Sequence, residues 1–195
     1  MKRLFRSTVL AVMAALALTG CGNDDSAGGG GGDFNDADVT FAQSMIPHHE
    51  QAVEMAKMAQ DYASTPEVKR LADKIEAAQG PEIATMKDWL KDWGKSESPD
   101  DSMGGMDHES DDSAGSDMDM SGMMSDDDMS GLEKATGAQF DQMFLTMMIE
   151  HHTGAIEMAK TEQSKGKNSD AKDLAKQIET DQTTEIADMK KLLTS

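Results

Sequence analysis

The sequence predicts an all-α protein, a bundle of four helices made from two copies of one two-helix unit. Three observations predict it. A tract around a His-His pair occurs twice at a constant offset of 103 residues. In four stretches of about 25 residues the apolar positions recur at helical spacing, and helix-starting and helix-stopping residues stand at their ends.

The first copy of the tract reads Phe41-Ala-Gln-Ser-Met45-Ile-Pro-His48-His49 and continues through Ala52, Glu54, Met55, Ala56 and Lys57. The second reads Phe144-Leu-Thr-Met-Met148-Ile-Glu-His151-His152 and continues through Ala155, Glu157, Met158, Ala159 and Lys160. The correspondence carries into a second helix, where Leu71, Ile75, Gln79, Glu82 and Met86 recur as Leu174, Ile178, Gln182, Glu185 and Met189.

Residues 1–20 read as a lipoprotein signal peptide. Lys2, Arg3 and Arg6 form a basic start, and the apolar run from Val9 to Leu18 is too short to span a bilayer. Leu18-Thr19-Gly20-Cys21 looks like a bacterial lipobox, which makes Cys21 the lipidated first residue of the exported chain and anchors it to the cell membrane on the extracytoplasmic face. Residues 21–35, with five consecutive glycines from Gly28, form a flexible tether.

Repeat one spans residues 36–94. Its first helix runs from Asp36 to about Tyr62, where Ser64-Thr65-Pro66-Glu67 stops it and starts the next with a capping residue, a first-turn proline and a capping-box glutamate. The second helix runs to about Trp93 and ends at Gly94. Pro47 and Pro81 fall inside helical patterns and predict bends rather than breaks. Residues 95–131 are Asp, Ser and Gly with almost nothing to bury, and predict a disordered linker. Repeat two, residues 132–195, copies the layout with helices from about Ala138 to Ser164 and from Asp170 to Leu193.

Charge narrows the partners. The formal net charge is −19 and becomes −22 once the signal and its three basic residues are removed, so nucleic acid is excluded and cations are attracted. Cys21 is the only cysteine, so the helical part has no disulfide and no thiolate. Methionine is then the one soft ligand on offer.

On a helix advancing about 100° per residue, Met45, His48, His49, Ala52, Met55 and Ala56 share one face, while Glu50, Glu54 and Lys57 take the other. In the second helix Leu71, Ile75, Gln79, Glu82 and Met86 face inward, which puts an amide and a carboxylate into the core. One account is a satisfied polar core in which each histidine bonds to Glu82 or Gln79 and each methionine fills space. The other is a metal site. A methionine three residues before a histidine and another seven after it, present in both copies, favour the metal.

Thioether and imidazole without thiolate suit Cu(I), and Ag(I) by extension. Zinc has little use for methionine. A di-iron centre wants Glu-x-x-His, and Met45 and Met148 stand where its glutamates would be. The candidate ligands are Met45, His48, His49, Met55, Met86, Met148, His151, His152, Met158 and Met189, with Glu82, Glu185, Gln79 and Gln182 as ligands or as partners of ligands. The linker adds Met103, Met106, His108, Met118, Met120, Met123, Met124 and Met129, seven thioethers and an imidazole with no folding role that a capture arm would explain. Imidazoles protonate near pH 6.5 and thioethers do not, so copper affinity of the bundle is expected to fall with acid while that of the arm holds.

The Met-Ile-x-His-His tract followed by Ala-(Val/Ile)-Glu-Met-Ala, with Gln-x-x-Glu-Ile-x-x-Met downstream, resembles the exported bacterial domain of unknown function 305 family. The resemblance covers nearly the whole chain after the tether apart from the linker. It implies a ferritin-like bundle of two helical repeats and, through some relatives, copper binding and resistance. The function expected is a lipid-anchored protein that sequesters Cu(I) or passes it to an envelope metal chaperone or exporter. Two alternatives are a metal-free interaction module of the envelope and a copper redox enzyme. The enzyme would have only Trp89, Trp93 and Tyr62 as aromatic relays and no nucleophile beside a base.

Overall fold

The computed structural model describes residues 33–98 and 121–194. It contains α1 (Asp36–Tyr62), α2 (Pro66–Asp92), α3 (Asp126–Lys134), α4 (Gly137–Lys165) and α5 (Ser169–Leu192). The four long helices are those the sequence predicts. Both α1 and α2 run unbroken through Pro47 and Pro81. No described helix is long and apolar enough to cross a membrane. The signal peptide, Cys21 and the glycine run lie outside the described residues.

Local chemistry sets the ends. Asn35 caps α1, accepting from the Ala37 and Asp38 N–H groups, while Asp38 returns the bond to the Asn35 N–H at 2.6 Å. The tether predicted to reach residue 35 therefore stops short of it, and Phe34 stacks on Trp93 with ring centroids 4.9 Å apart. At the start of α2 the capping residue is Thr65, whose hydroxyl accepts from Val68 N–H. Pro66 occupies the first turn, so Glu67 falls one place short of a capping box and pairs with Arg70 instead. Gly94, at φ +66°, takes the left-handed step that ends α2, and Lys95 N–H closes it onto the Leu90 carbonyl at 2.8 Å.

Each repeat is an antiparallel hairpin, α1 with α2 and α4 with α5, and the hairpins meet chiefly through α1 and α4. The duplication has become a pseudo-twofold. Asp38 on α1 accepts from the Lys167 and Asn168 N–H groups in the α4–α5 turn, at 3.0 and 2.9 Å. Asp141 on α4 accepts from the Ser64 and Thr65 N–H groups in the α1–α2 turn, at 2.9 and 3.1 Å. These partners match pairwise at the same offset of 103. Each repeat thus holds the other's turn through a buried carboxylate, which satisfies backbone donors that would otherwise be stranded at a helix start.

The apolar core has two halves. One gathers residues 39–46 of α1, Met86 and Leu90 of α2 with Trp93 just beyond its end, 155–159 of α4 and 171–178 of α5. The other gathers residues 52–63 of α1, 68–75 of α2, 140–148 of α4 and Met189 of α5. Between them lies a layer of buried polar side chains: His48, His49, Gln79, Glu82, His151, His152 and Gln182.

The last part of the linker departs from the disorder predicted for it. Ser125 and Asp128 form a capping box that starts α3, and Leu132 in that helix is fully buried. Met124 is buried and Met129 packs partly buried against the same half of the core. An apolar residue every few positions from Met124 to Leu132 gives this stretch the face that the Asp-Ser-Gly composition hid.

Candidate metal centre

All four histidines of the repeated tract are fully buried, on the facing sides of α1 and α4. Their positions follow from the helical period, since the alanines beside them let the two helices approach closely. The rings of His48 and His151 are 3.7 Å apart between centroids and tilted by 40°. They are matched positions of the two repeats, so the pair sits where the pseudo-twofold brings equivalent residues together.

His49 Nε2 donates to Glu82 Oε2 at 2.8 Å, and His152 Nε2 donates to Glu185 Oε2 at 2.7 Å. His48 Nε2 donates to the Ser121 carbonyl at 3.3 Å. Carboxylates and carbonyls accept only, so these three rings carry a proton on Nε2, and in the neutral ring Nδ1 is then the lone-pair nitrogen. Nδ1 is buried without a partner in all four histidines. His151 Nε2, both polar atoms of the Gln79 amide and Gln182 Oε1 are likewise unpartnered.

Left without partners, such a layer costs stability rather than adding to it. An orphaned buried polar atom costs about 1–3 kcal/mol, so the four Nδ1 atoms alone cost about 4–12 kcal/mol. A domain's whole stability is about 5–15 kcal/mol. Glu82 and Glu185 each fix the orientation of the ring they accept from.

Burial drives the His48 pKa down to about 3, helped by the neighbouring charges of His49 and His152 and opposed by the Ser121 carbonyl. His151 is pushed well below the ordinary histidine value by burial first and then by His48, His152 and His49. Both central rings are therefore neutral far below pH 6.5.

The methionines fall on both sides of the polar layer. Met45 and Met86 are fully buried in one half, where Met158 packs half-buried. Met148, Met189 and Met55 are fully buried in the other. Under the 103-residue offset the first trio maps onto the second, and each combines two methionines of one repeat with one from the other. Met158 is the exception in depth, because it lines a groove of about 310 Å³ with Phe41, Ser44, Glu162 and Lys165. Among the described residues no group of three or more His, Cys, Asp and Glu side chains is placed to hold a metal ion.

Of the predicted capture residues, Met103, Met106, His108, Met118 and Met120 lie outside the described residues. Met123 is half-buried, and Met124 and Met129 pack on the bundle rather than belonging to a free arm.

Sequence reasoning missed Glu162, whose carboxyl is 1 % exposed with no donor beside either oxygen. Burial, then the hydrogen bond and charge of Asp38, push its pKa up to about 8, with Lys172 opposing. A proton on Glu162 makes the link to Asp38. Burial also raises Asp38, but the N–H groups of Asn35, Asn168 and Lys167 and that bond from Glu162 together bring its carboxyl below the ordinary value. Nothing in the repeat signals Glu162, since its counterpart is Ala59.

A prediction follows for Glu162. A folded-state pKa raised above the unfolded one gives stability that is complete below about pH 4.5 and lost as pH rises through 8. Glu162→Gln keeps a donor for Asp38 and cannot ionise. It should raise the melting temperature at pH 8, by about 1–3 kcal/mol in stability, and give no gain at pH 4.5; thermal melts at the two pH values check it.

Two antiparallel hairpins related by an internal twofold, with a buried His-His layer between, define the class. The chain belongs to the family described as "Domain of unknown function (DUF305)", which matches residues 38–193. It is similar to a DUF305 protein of Streptomyces coelicolor, described as secreted, at 32% identity and a TM-score of 0.69, covering 81% of this chain and 92% of that one. A DUF305 fragment from Deinococcus radiodurans matches at 27% identity and a TM-score of 0.68, covering 82% and 97%. CopM in its Cu(II)-bound form matches at 32% identity and a TM-score of 0.64, covering 80% and 95%. CopM also has Cu(I)-bound, Ag-bound and apo structures that match. No curated protein matches the chain.

Proposed function

We infer that this chain is an extracytoplasmic soft-metal carrier, lipid-anchored through Cys21, that binds Cu(I), and Ag(I) in the same place, for sequestration or hand-over. The observation that carries this is the set of four buried, partnerless Nδ1 atoms between two trios of methionine. A bare imidazole nitrogen and a thioether are ligands that a soft monovalent ion prefers to water, and neither must lose a proton to bind. The likeness to CopM in its metal-bound forms supports the reading.

The ligands are His48, His49, His151 and His152, with sulfur from Met45, Met86 and Met158 on one side and Met148, Met189 and Met55 on the other. Glu82 and Glu185 orient their histidines. Gln79 and Gln182 offer amides to the same layer. The linker thioethers of Met103, Met106, Met118 and Met120, with His108, collect ions by weak exchange. The net negative charge, −22 once the signal and its three basic residues are removed from the −19 of the full sequence, raises the local cation concentration. The chemistry is ligand exchange, with a chaperone or exporter of the envelope as recipient.

The test is anaerobic Cu(I) titration against a competing chelator, read by mass spectrometry. Three proteins are compared: the full chain, a chain lacking residues 99–120, and a chain with all four repeat histidines replaced by asparagine. Tight binding should survive the deletion and disappear with the histidines. Tight binding that follows the linker instead would contradict the assignment.

A further inference from the structure

We propose that residues Ser121–Met124 are a latched strap over the histidine layer, the gate a soft ion must lift to reach His48 and His151. The proposal rests on the metal reading above and adds how the ion gets in. All four rings are fully buried, so some part of the chain has to move before an ion can touch them.

The strap touches the layer directly. The Ser121 carbonyl accepts from His48 Nε2, and the backbone at Gly122 lies on the α4 turn that carries His151. A Cβ on Gly122, which is at φ +82°, would come within 2.7 Å of the Glu150 carbonyl and 3.1 Å of the His151 carbonyl. A Cβ on Gly154 would lie 1.8 Å from the Ser121 carbonyl oxygen. Two glycines are therefore needed for two backbones to come this close.

One side chain on α1 fastens the end of the strap. Gln51 Nε2 donates to the Met124 carbonyl at 2.9 Å, and Gln51 Oε1 accepts from the Met124 N–H at 2.8 Å. Gln51 and Gly154 are matched positions of the two repeats. The duplication has diverged at this point, one copy making the seat and the other the latch. Lifting the strap also frees His48 Nε2 from the Ser121 carbonyl.

The strap is held by two neutral hydrogen bonds at Gln51, one at His48 and one from Ser121 Oγ to Glu157 Oε2 at 3.1 Å. Moving a long helix would instead open the apolar core. Loss of the two Gln51 bonds should shift the opening equilibrium by about tenfold. Gln51 is no ligand, so the number of ions bound should stay the same.

The experiment uses the full chain and its Gln51→Ala variant, with Ag(I) as the ion. Uptake is followed by stopped-flow tryptophan fluorescence and amide exchange by mass spectrometry. The variant is expected to take up Ag(I) about tenfold faster, reach the same stoichiometry and exchange the Met124 amide faster. Faster exchange at an unchanged uptake rate would show that the strap opens but does not gate, and would overturn the proposal. Unchanged exchange would overturn the latch. Gly154→Ala, which pushes Ser121 away, should speed uptake in the same sense and guards against an effect peculiar to Gln51. If the wild-type chain takes up no Ag(I) at all, the metal reading fails and the gate with it, an outcome distinct from equal rates in wild type and variant.

Discussion

Replacing His48 and His151 together with leucine should make the protein more stable and leave it poorer at holding Cu(I). Leucine is close to histidine in volume, and the two rings already pack against each other, 3.7 Å between centroids and tilted by 40°, in a fully buried site. The double variant removes the two Nδ1 atoms and His151 Nε2, all buried without partners. At about 1–3 kcal/mol for each orphaned atom, the gain should be about 2–5 kcal/mol after allowing for imperfect repacking and loss of the Ser121 bond. Denaturant unfolding of the metal-free protein checks the gain, and chelator competition checks the loss of affinity. A residue that costs stability and is kept twice in one chain is explained by what it binds. If the double variant unfolds more easily than wild type, the histidines are structural and the reading is wrong.

Acid should destabilise the metal-free protein steeply while leaving the central nitrogens free to bind. The folded-state pKa of His48 is about 3 and that of His151 is also depressed, against about 6.5 in an unfolded chain. Above pH 6.5 both states are neutral and the contribution is complete. Below it the unfolded chain takes protons that the fold refuses, so stability falls as pH drops from 6.5 toward 3. The slope is up to about 1.4 kcal/mol per pH unit for each ring, so two units of acid cost up to about 6 kcal/mol for the pair. Urea unfolding between pH 7 and pH 4.5 should show this fall, and a leucine pair at 48 and 151 should flatten it. Saturating Ag(I) should restore stability at pH 5, because the bound state needs no deprotonation of these rings.

Most of the bundle was legible because a duplication announces its own period. The helices α1, α2, α4 and α5 were readable from apolar spacing and from caps such as Gly94, since burying one face dictates the residues on it. Inward placement of His48, His49, Gln79 and Glu82 was readable for the same reason. Two things were not. The order beyond Ser121 depends on a backbone seat at Gly154 and a latch at Gln51, tertiary features that leave no mark in a run of Asp, Ser and Gly. The cross-repeat sulfur trios depend on the antiparallel crossing of α1 and α4, which two parallel copies of a motif do not specify.

The Asp38 and Asp141 pair lay in the repeat all along, at the same offset as the histidines. An aspartate in a first helical turn is ordinary, so nothing local distinguished these two from macrodipole partners until the opposite hairpin's turn was seen beside them.

The nitrogen resonances of the histidine rings test the central claim most directly. In a long-range proton-nitrogen spectrum of the full chain, the metal-free rings of His49 and His152 should show protonated Nε2, as their bonds to Glu82 and Glu185 require, and the bare Nδ1 that a metal site needs. On adding Ag(I), the Nδ1 signals should move and the Nε2 signals stay. If Ag(I) binds while every ring nitrogen keeps its position, the buried layer is not the site.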